Sequence, residues 1–463
     1  MPWFLLFFFW WPSIYLHQRH FDGPTAVSRP DLLHSLYVHR SFCIDPYHGN
    51  TPDKAVYLGH YYSDKAPGTV ALGLPFFFAT AWCLEQAGVG VDSKRGWIAT
   101  SWLTCAAALG VCAAVGGIAC FLWLVRYVPP RIAFLTTAAV FLGAAPLPYA
   151  TFMYSHAQVV SLLMIAMWAL DKQGARGAIQ WAQQTMDSAA GFAAGWALAS
   201  EYTAGLIVVA IVLWLASVKP SRAIRFCLGA APPLLLIPLY SWVTLGNPFT
   251  LPYSYQATFL SMHEGIYAIK WPDLETAYRL LFGASRGLFF WSPFLLMAFL
   301  GFPRLLSRSP KLFWVMYAGF IMQITVISGR VWDWPAGPSF GPRYLAPSLV
   351  FLALPFALAA ERFRKTAILL AAYSICITTL ATLTNASFPG SVANPLLEMT
   401  LPMAWKGDFN PNLGMLLGLP PFVSVAVYYA VFLAGIVCIW RRLPETARVA
   451  MASGKEITTE TAK

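Results

Sequence analysis

Apolar runs separated by polar turns recur along the whole chain, near 2–16, 69–87, 98–125, 132–149, 153–171, 187–200, 202–217, 222–244, 286–302, 312–329, 343–361, 366–385 and 420–440. Many are roughly 17–25 residues long, enough for a helix to cross a ~30 Å hydrocarbon layer. The pattern predicts an all-α integral membrane protein of roughly 11–13 transmembrane helices. Residues 1–442 read as a single polytopic domain and 443–463 as a polar cytoplasmic tail. The opening run lacks a basic leader and a small-residue cleavage site, so it is expected to stay as a first span.

Basic residues orient the bundle. Lys219/Arg222/Arg225, Arg304/Arg308/Lys311, Arg362/Arg364/Lys365 and Arg441/Arg442 fall at every other turn, which predicts that those turns are cytoplasmic. Arg126/Arg131 and Lys172/Arg176 continue the same series. The loops at 245–285, 330–342 and 386–419 then face outward, with the first polar loop (17–68), the turn Pro146–His156 and the junction at Glu201. Segment 69–87 disturbs this alternation, because both its ends should face outward. It is expected to be re-entrant or interfacial, helped by Gly73 and Pro75. Within the first loop, the spacing of Leu32, Leu33, Leu36 and Tyr37 predicts a short amphipathic helix over Asp31–His39, lying on the membrane.

Composition changes the picture in two places. The chain is 58% hydrophobic and only 11% charged, whereas a soluble domain carries about a quarter charged residues. Soluble classes are thereby excluded. The net charge of +11 resides largely in short loops, and no basic stripe interleaved with aromatics marks a nucleic-acid partner. Among eight cysteines there is no CxxC and no disulfide framework. P-loop, HExxH and Rossmann fingerprints are absent from the sequence. Gly283-Ala284-Ser285-Arg286-Gly287 fits GxSxG but lacks the strand–turn–helix setting that this motif needs. Gly191 and Gly195 form a GxxxG, most simply a helix-packing device.

The candidate chemistry lies on the outward side. His17, His20, His34, His39, His48, His60, His156 and His263 all fall there. Chance plus interfacial preference explains this as well as a polar, metal-capable site does. The first loop holds Asp45, Asp53 and Asp64 with Lys54 and Lys65. A carboxylate can serve as general base toward an acceptor hydroxyl, and a lysine can hold a phosphate as a point charge. The bland alternative is a solvated loop with weak surface ion pairs. Glu201 stands between two apolar runs, where an ionisable group is costly and is read as functional unless it simply reaches water at a helix end. In the stretch Trp332-Asp333-Trp334-Pro335-Ala336-Gly337-Pro338-Ser339-Phe340-Gly341-Pro342-Arg343-Tyr344, Arg343 heads a span from the outward side, with Arg330 nearby. Beside glycines, an arginine there suits bidentate bonding to phosphate. The tryptophans read equally as an interfacial belt.

Gly59-His60-Tyr61-Tyr62-Ser63-Asp64-Lys65-Ala66-Pro67 resembles the motif that ends the first outer loop of the lipid A aminoarabinose transferases. The overall layout is similar to that group and to the protein O-mannosyltransferases, GT-C type membrane glycosyltransferases that take sugars from polyprenyl-phosphate donors. With Ser28-Arg29, Ile44-Asp45, Asp53-Lys54-Ala55 and residues 341–345, the chain looks closer still to a set of bacterial relatives of these enzymes. The resemblance implies a GT-C-like fold whose first extracytoplasmic loop carries short interfacial helices. It implies sugar transfer from a polyprenyl-phosphate-linked donor to a lipid, glycan or protein acceptor, with inversion, at the extracytoplasmic face of the cytoplasmic (inner) membrane. Lys65 would hold the lipid phosphate, assisted by Arg29 or Arg343. The substrate-binding candidates are Arg29, Lys54, Tyr62, Lys65, His156, Glu201, Arg343 and Tyr344. His156 stands near the place of a family active-site acid, so a different role as ligand or hydrogen-bond donor is expected of it. The family carries an acid or acidic pair just after the first span. Here only Asp22 is close, followed by Gly23, which leaves the base open among Asp22, Asp45, Asp53 and Asp64, with Asp45 favoured. No cofactor is assigned, and a divalent metal stays open. A transporter or flippase of a lipid-linked or anionic substrate, and a non-catalytic relative, are the competing readings.

Overall fold

The computed structural model describes residues 2–17, 24–171, 180–331 and 334–444. His20, Asp22, Gly23, Lys172, Arg176, Trp332, Asp333 and the tail from 445 onward lie outside the described residues. Among the described residues, seven helices are long and apolar enough to cross a membrane: Gly68–Gln86, Lys94–Leu124, Pro220–Leu245, Pro310–Ser328, Arg343–Arg362, Arg364–Thr384 and Pro421–Arg442. Pro130–Leu142, His156–Leu170 and Tyr202–Val218 are shorter apolar helices, and Pro2–Tyr15 and Gln180–Ser200 complete the main bundle. Proline opens several of them at Pro130, Pro220, Pro310 and Pro421, where its fixed φ suits the first turn and its missing N–H is not needed.

The helices differ in how much of their circumference is covered. Every residue from Leu349 to Ala360 is buried, so this helix is packed on all sides at the centre. Pro421–Arg442 instead buries Ser424, Tyr428, Phe432 and Ile439, a single stripe that leaves the rest of the helix facing outward. Gly191 and Gly195 lie directly against the backbone of Phe226 and Ala230, so the GxxxG brings Gln180–Ser200 into close contact with Pro220–Leu234. All eight cysteines are unpaired.

The first loop departs from an all-helical expectation. A helix over Pro24–His34 continues as a π turn over Ser35–His39. Lys54–Tyr57 and His60–Ser63 then form an antiparallel hairpin, with Tyr57 opposite His60. Its two turn residues, Leu58 and Gly59, have φ of 50° and 83°, the left-handed pair that a tight two-residue turn requires. Both hairpin edges are extended: the Ile44 amide donates to the Tyr61 carbonyl at 2.8 Å, and the Ala257 amide to the Lys54 carbonyl at 3.0 Å. The stretch 31–39 is helical but does not lie free on a surface. Leu32 and Leu33 are buried with Val70 and Phe77, and Leu36 and Tyr37 pack against that cluster.

Gly68–Gln86 is one continuous helix, with no break at Gly73 or Pro75. At its start the Trp196 indole donates to the Gly68 carbonyl at 2.9 Å. Near its end the Tyr37 hydroxyl donates to Glu85 at 2.7 Å, and just beyond, Tyr47 donates to Asp92 at 2.9 Å. The first loop therefore runs along the helix to its far end, while its near end adjoins Ser200. The unbroken helix is long and apolar enough to cross a membrane, and the re-entrant break expected near Gly73 and Pro75 is not seen.

Candidate active site on the loop face

Four loops and the junction at Glu201 converge on one cavity of about 550 Å³. Asp53, Asp64 and Lys65 come from the first loop, at the two feet of the hairpin, where chain pairing sets them side by side. Glu201 and Tyr202 come from the junction after Gln180–Ser200. Tyr253 and Tyr267 come from the 245–285 loop, Arg330, Ala336 and Gly337 from the next, and Gly390 from the last. Arg343 and Tyr344 enter from the head of the central helix.

Lys65 is the pivot. Its ammonium lies 3.0 Å from Asp53 Oδ1 and 3.2 Å from Asp64 Oδ1, with 10% of its side chain exposed, and 5.7 Å from the centre of the Tyr253 ring. Burial works against its charge, yet Asp53 and Asp64 together outweigh burial and hold Lys65 above the ordinary lysine range. Asp64 is pushed up to about 6, first by its own burial and next by Asp53, with Lys65 and the Gln256 amide pulling the other way. The hairpin edge at Ala257 carries Gln256 and Tyr253 to this point.

The opposite wall is cationic and aromatic. The Arg343 guanidinium lies 5.2 Å from the ring centres of both Tyr154 and Tyr344. Arg330 lies 4.5 Å above Tyr344 and donates to the Tyr267 carbonyl at 2.9 Å. Loop 335–341 is tied down from behind. Tyr149 donates to the Phe340 carbonyl at 2.7 Å and Tyr154 to the Pro338 carbonyl at 3.0 Å. Arg286, fully buried, donates to the carbonyls of Pro335, Gly337 and Phe388. Behind the cavity, Arg29 donates to the Ser155 hydroxyl at 3.4 Å, and Ser155 donates to Glu201 at 3.0 Å. That chain of bonds fixes the Glu201 carboxylate.

Of the residues singled out in the sequence, Asp53, Asp64, Lys65, Glu201, Arg343 and Tyr344 line this one cavity. Arg29 and His156 are buried beside it without lining it. His156 has an unpartnered Nδ1 and packs 4.8 Å from Tyr149. Asp45, Lys54 and Tyr62 are elsewhere. Asp45 accepts from His60 at 2.7 Å and from the Tyr61 amide at 2.6 Å, Lys54 donates to the His48 carbonyl at 2.6 Å, and Tyr62 pairs across to Cys43. The described histidines do not converge. Among them, His34 stacks at 3.5 Å on Trp97 of the helix Lys94–Leu124, and His263 bonds the Gln256 carbonyl. Sequence reasoning missed Tyr253 and Tyr267, which sit in an aperiodic aromatic loop. It also passed over Arg286, hidden inside the discounted GxSxG, whose only signal was an arginine heading an apolar run.

No protein-family model matches the chain, and no curated protein matches it by sequence. Solved structures do match. ArnT from Cupriavidus metallidurans in the apo state aligns at TM-score 0.51 and 18% identity, over 93% of this chain and 74% of ArnT. The same protein bound to undecaprenyl phosphate aligns at 0.48 and 18%, over 94% and 75% of the two chains. The oligosaccharyltransferase of Archaeoglobus fulgidus in the apo form aligns at 0.47 and 13%, over 84% of this chain and 56% of its own. The chain has the GT-C type membrane fold that ArnT has.

Proposed function

We propose that this chain is a membrane glycosyltransferase that moves a sugar from a polyprenyl-phosphate donor to an acceptor hydroxyl on the outer face of the cytoplasmic membrane. One observation carries the reading: Lys65 and Arg343, far apart in sequence, line the same cavity as Asp53 and Asp64 at the loop end of the bundle. The fold shared with ArnT agrees with it. The donor phosphate lies against Lys65 and Arg343, with Arg330 at its edge, while the polyprenyl tail runs into the membrane between helices. A cavity of about 550 Å³ is in the range of small-molecule sites, roughly 300–1,000 Å³.

Asp64 is the base. It is ionised near neutral pH yet retains proton affinity, because its pKa is about 6, which is the range that favours general-base work. It takes the acceptor hydroxyl proton as that oxygen attacks the anomeric carbon. The bond from that carbon to the phosphate oxygen breaks, and polyprenyl phosphate leaves with the electron pair, inverting the centre. Charge growing on the leaving phosphate is met by Lys65 and Arg343, whose positions are set before the reaction begins. Asp53 keeps the Lys65 ammonium aimed into the cavity.

The test uses the purified chain in detergent with labelled polyprenyl-phosphate sugars, reading lipid binding and turnover. Lys65→Ala and Arg343→Ala are expected to lose donor binding and transfer. If both variants transferred at the full rate, the phosphate site would not be here.

A further inference from the structure

The hairpin carries a second cluster of ligand-type side chains on its exposed edge. Cys43 pairs across to Tyr62, and the Ile44 amide bonds the Tyr61 carbonyl, which sets Asp45 opposite His60. Alternation along an extended strand puts Cys43 and Asp45 on one face, two residues apart, with His60 as the cross-strand neighbour. One ligand atom from each of Cys43, Asp45 and His60 lies within 4.8 Å of the other two.

We propose that Cys43, Asp45 and His60 form a divalent transition-metal site, with zinc as the favoured ion. Thiolate and imidazole select a borderline-soft cation over magnesium or calcium. Bond lengths of about 2.0–2.3 Å in a tetrahedral zinc site place ligand atoms roughly 3.3–3.8 Å apart. The three groups reach that spacing by small side-chain rotations. The proton now shared between His60 Nδ1 and Asp45 Oδ2, 2.7 Å apart, occupies a place the cation would take. On binding, the ring proton moves to Nε2, the Cys43 thiol proton leaves to solvent, and the cation is held by one thiolate, one carboxylate and one neutral imidazole. Solvent fills the fourth position, since the His60 and Asp45 side chains are 57% and 37% exposed. The ion would bolt the 43–45 strand to His60–Ser63, the strand that leads straight into Asp64 and Lys65. Its role is that of a fastener for the strand that carries Asp64 and Lys65, separate from the cavity.

The test titrates cobalt(II), then zinc(II), into the chelator-treated full chain in detergent. We expect one equivalent of cobalt with a thiolate-to-cobalt charge-transfer band that zinc abolishes, and a zinc-dependent rise in the thermal midpoint. Cys43→Ser and His60→Ala are expected to lose both, while Cys83→Ser, which alters an exposed cysteine of the membrane helix, keeps both. His60→Ala sits at an exposed hairpin position, so its fold is checked independently by its unchanged midpoint without metal. Absence of a thiolate band in the unmodified chain, or its persistence in Cys43→Ser, would overturn the proposal.

Discussion

Asp187, two turns into the helix Gln180–Ser200, and Glu201, just past its last residue, are each a carboxylate beside the apolar part of the bundle. Asp187, fully buried, receives Arg222 at 2.8 and 3.0 Å and Arg225 at 2.8 Å, while Arg222 also donates to the Leu170 carbonyl. Two guanidinium forks meet one carboxylate on the side expected to be cytoplasmic. At the other end, Glu201 is met by the hydroxyls of Ser155 and Thr203, and it lines a cavity that also holds Lys65, Arg330 and Arg343. The contrast separates two uses of costly polar groups in a membrane protein. At Asp187 opposite charges close on one another and leave no room for a ligand. At Glu201 three acids and three bases stand around an open space. The first arrangement specifies packing; the second invites a charged substrate.

The comparison can be broken at either end. The largest effect is expected from Asp64→Asn, which removes the base and slows transfer by about 10²–10⁴-fold. The unmodified chain should meanwhile lose rate as pH falls through about 6. The sign follows because Asp64 must be ionised to accept a proton, and burial has raised the pH at which it ionises. A pH–rate profile checks both, and a limb unmoved in Asp64→Asn would assign the base elsewhere. Next comes Lys65→Ala, expected to cost about 10²–10³-fold in transfer and to lower the thermal midpoint, because Asp53 and Asp64 lose their buried cation. At the other end, Asp187→Ala strands the buried Arg222 and the partly exposed Arg225 and should lower unfolding stability by about 3–5 kcal/mol, with the fraction that remains folded transferring at the normal rate. Denaturant titration in detergent measures it. The smallest effect is expected from Ser155→Ala, which cuts the Arg29–Ser155–Glu201 connection. A loss of about 1 kcal/mol, roughly fivefold in kcat/KM, would show that Glu201 needs this support to hold its place.

Much of the bundle was legible because apolar length is a local signal. Most long apolar runs became helices with bounds shifted by a few residues, but the run at 286–302 broke into Leu288–Trp291, a 3-10 turn over Pro293–Met297 and Ala298–Arg308, where Pro293 interrupts the helix. The alternation of basic turns grouped the loops 17–68, 245–285, 330–342 and 386–419 together, and residues from these four do meet around one cavity, whereas the turn Pro146–His156 of the same group supplies none of its lining. The hairpin was not read, although Lys54–Tyr57 and His60–Ser63 flank a Leu-Gly turn, because four-residue strands give little periodicity. Asp45 was favoured over Asp64 in the sequence, where both lie in the same polar stretch. What separates them is which face of the hairpin each one occupies, fixed by pairing to residues 43–45 and 256–257. Tyr253 was invisible for the same reason: it reaches Lys65 by adding an edge to a sheet that begins two hundred positions earlier.

Lys65 already has two counter-ions of its own before anything enters. On the proposed reading, a phosphodiester donor, carrying one negative charge, would share the ammonium with Asp53 and Asp64. Once the sugar had left, the spent lipid would be a monoester with a second charge building on it, crowded against the same acids. A grip of this kind would recoil. The carboxylates would reclaim their lysine as the used carrier withdrew, so the pair that readies the site for one cycle would also clear it for the next.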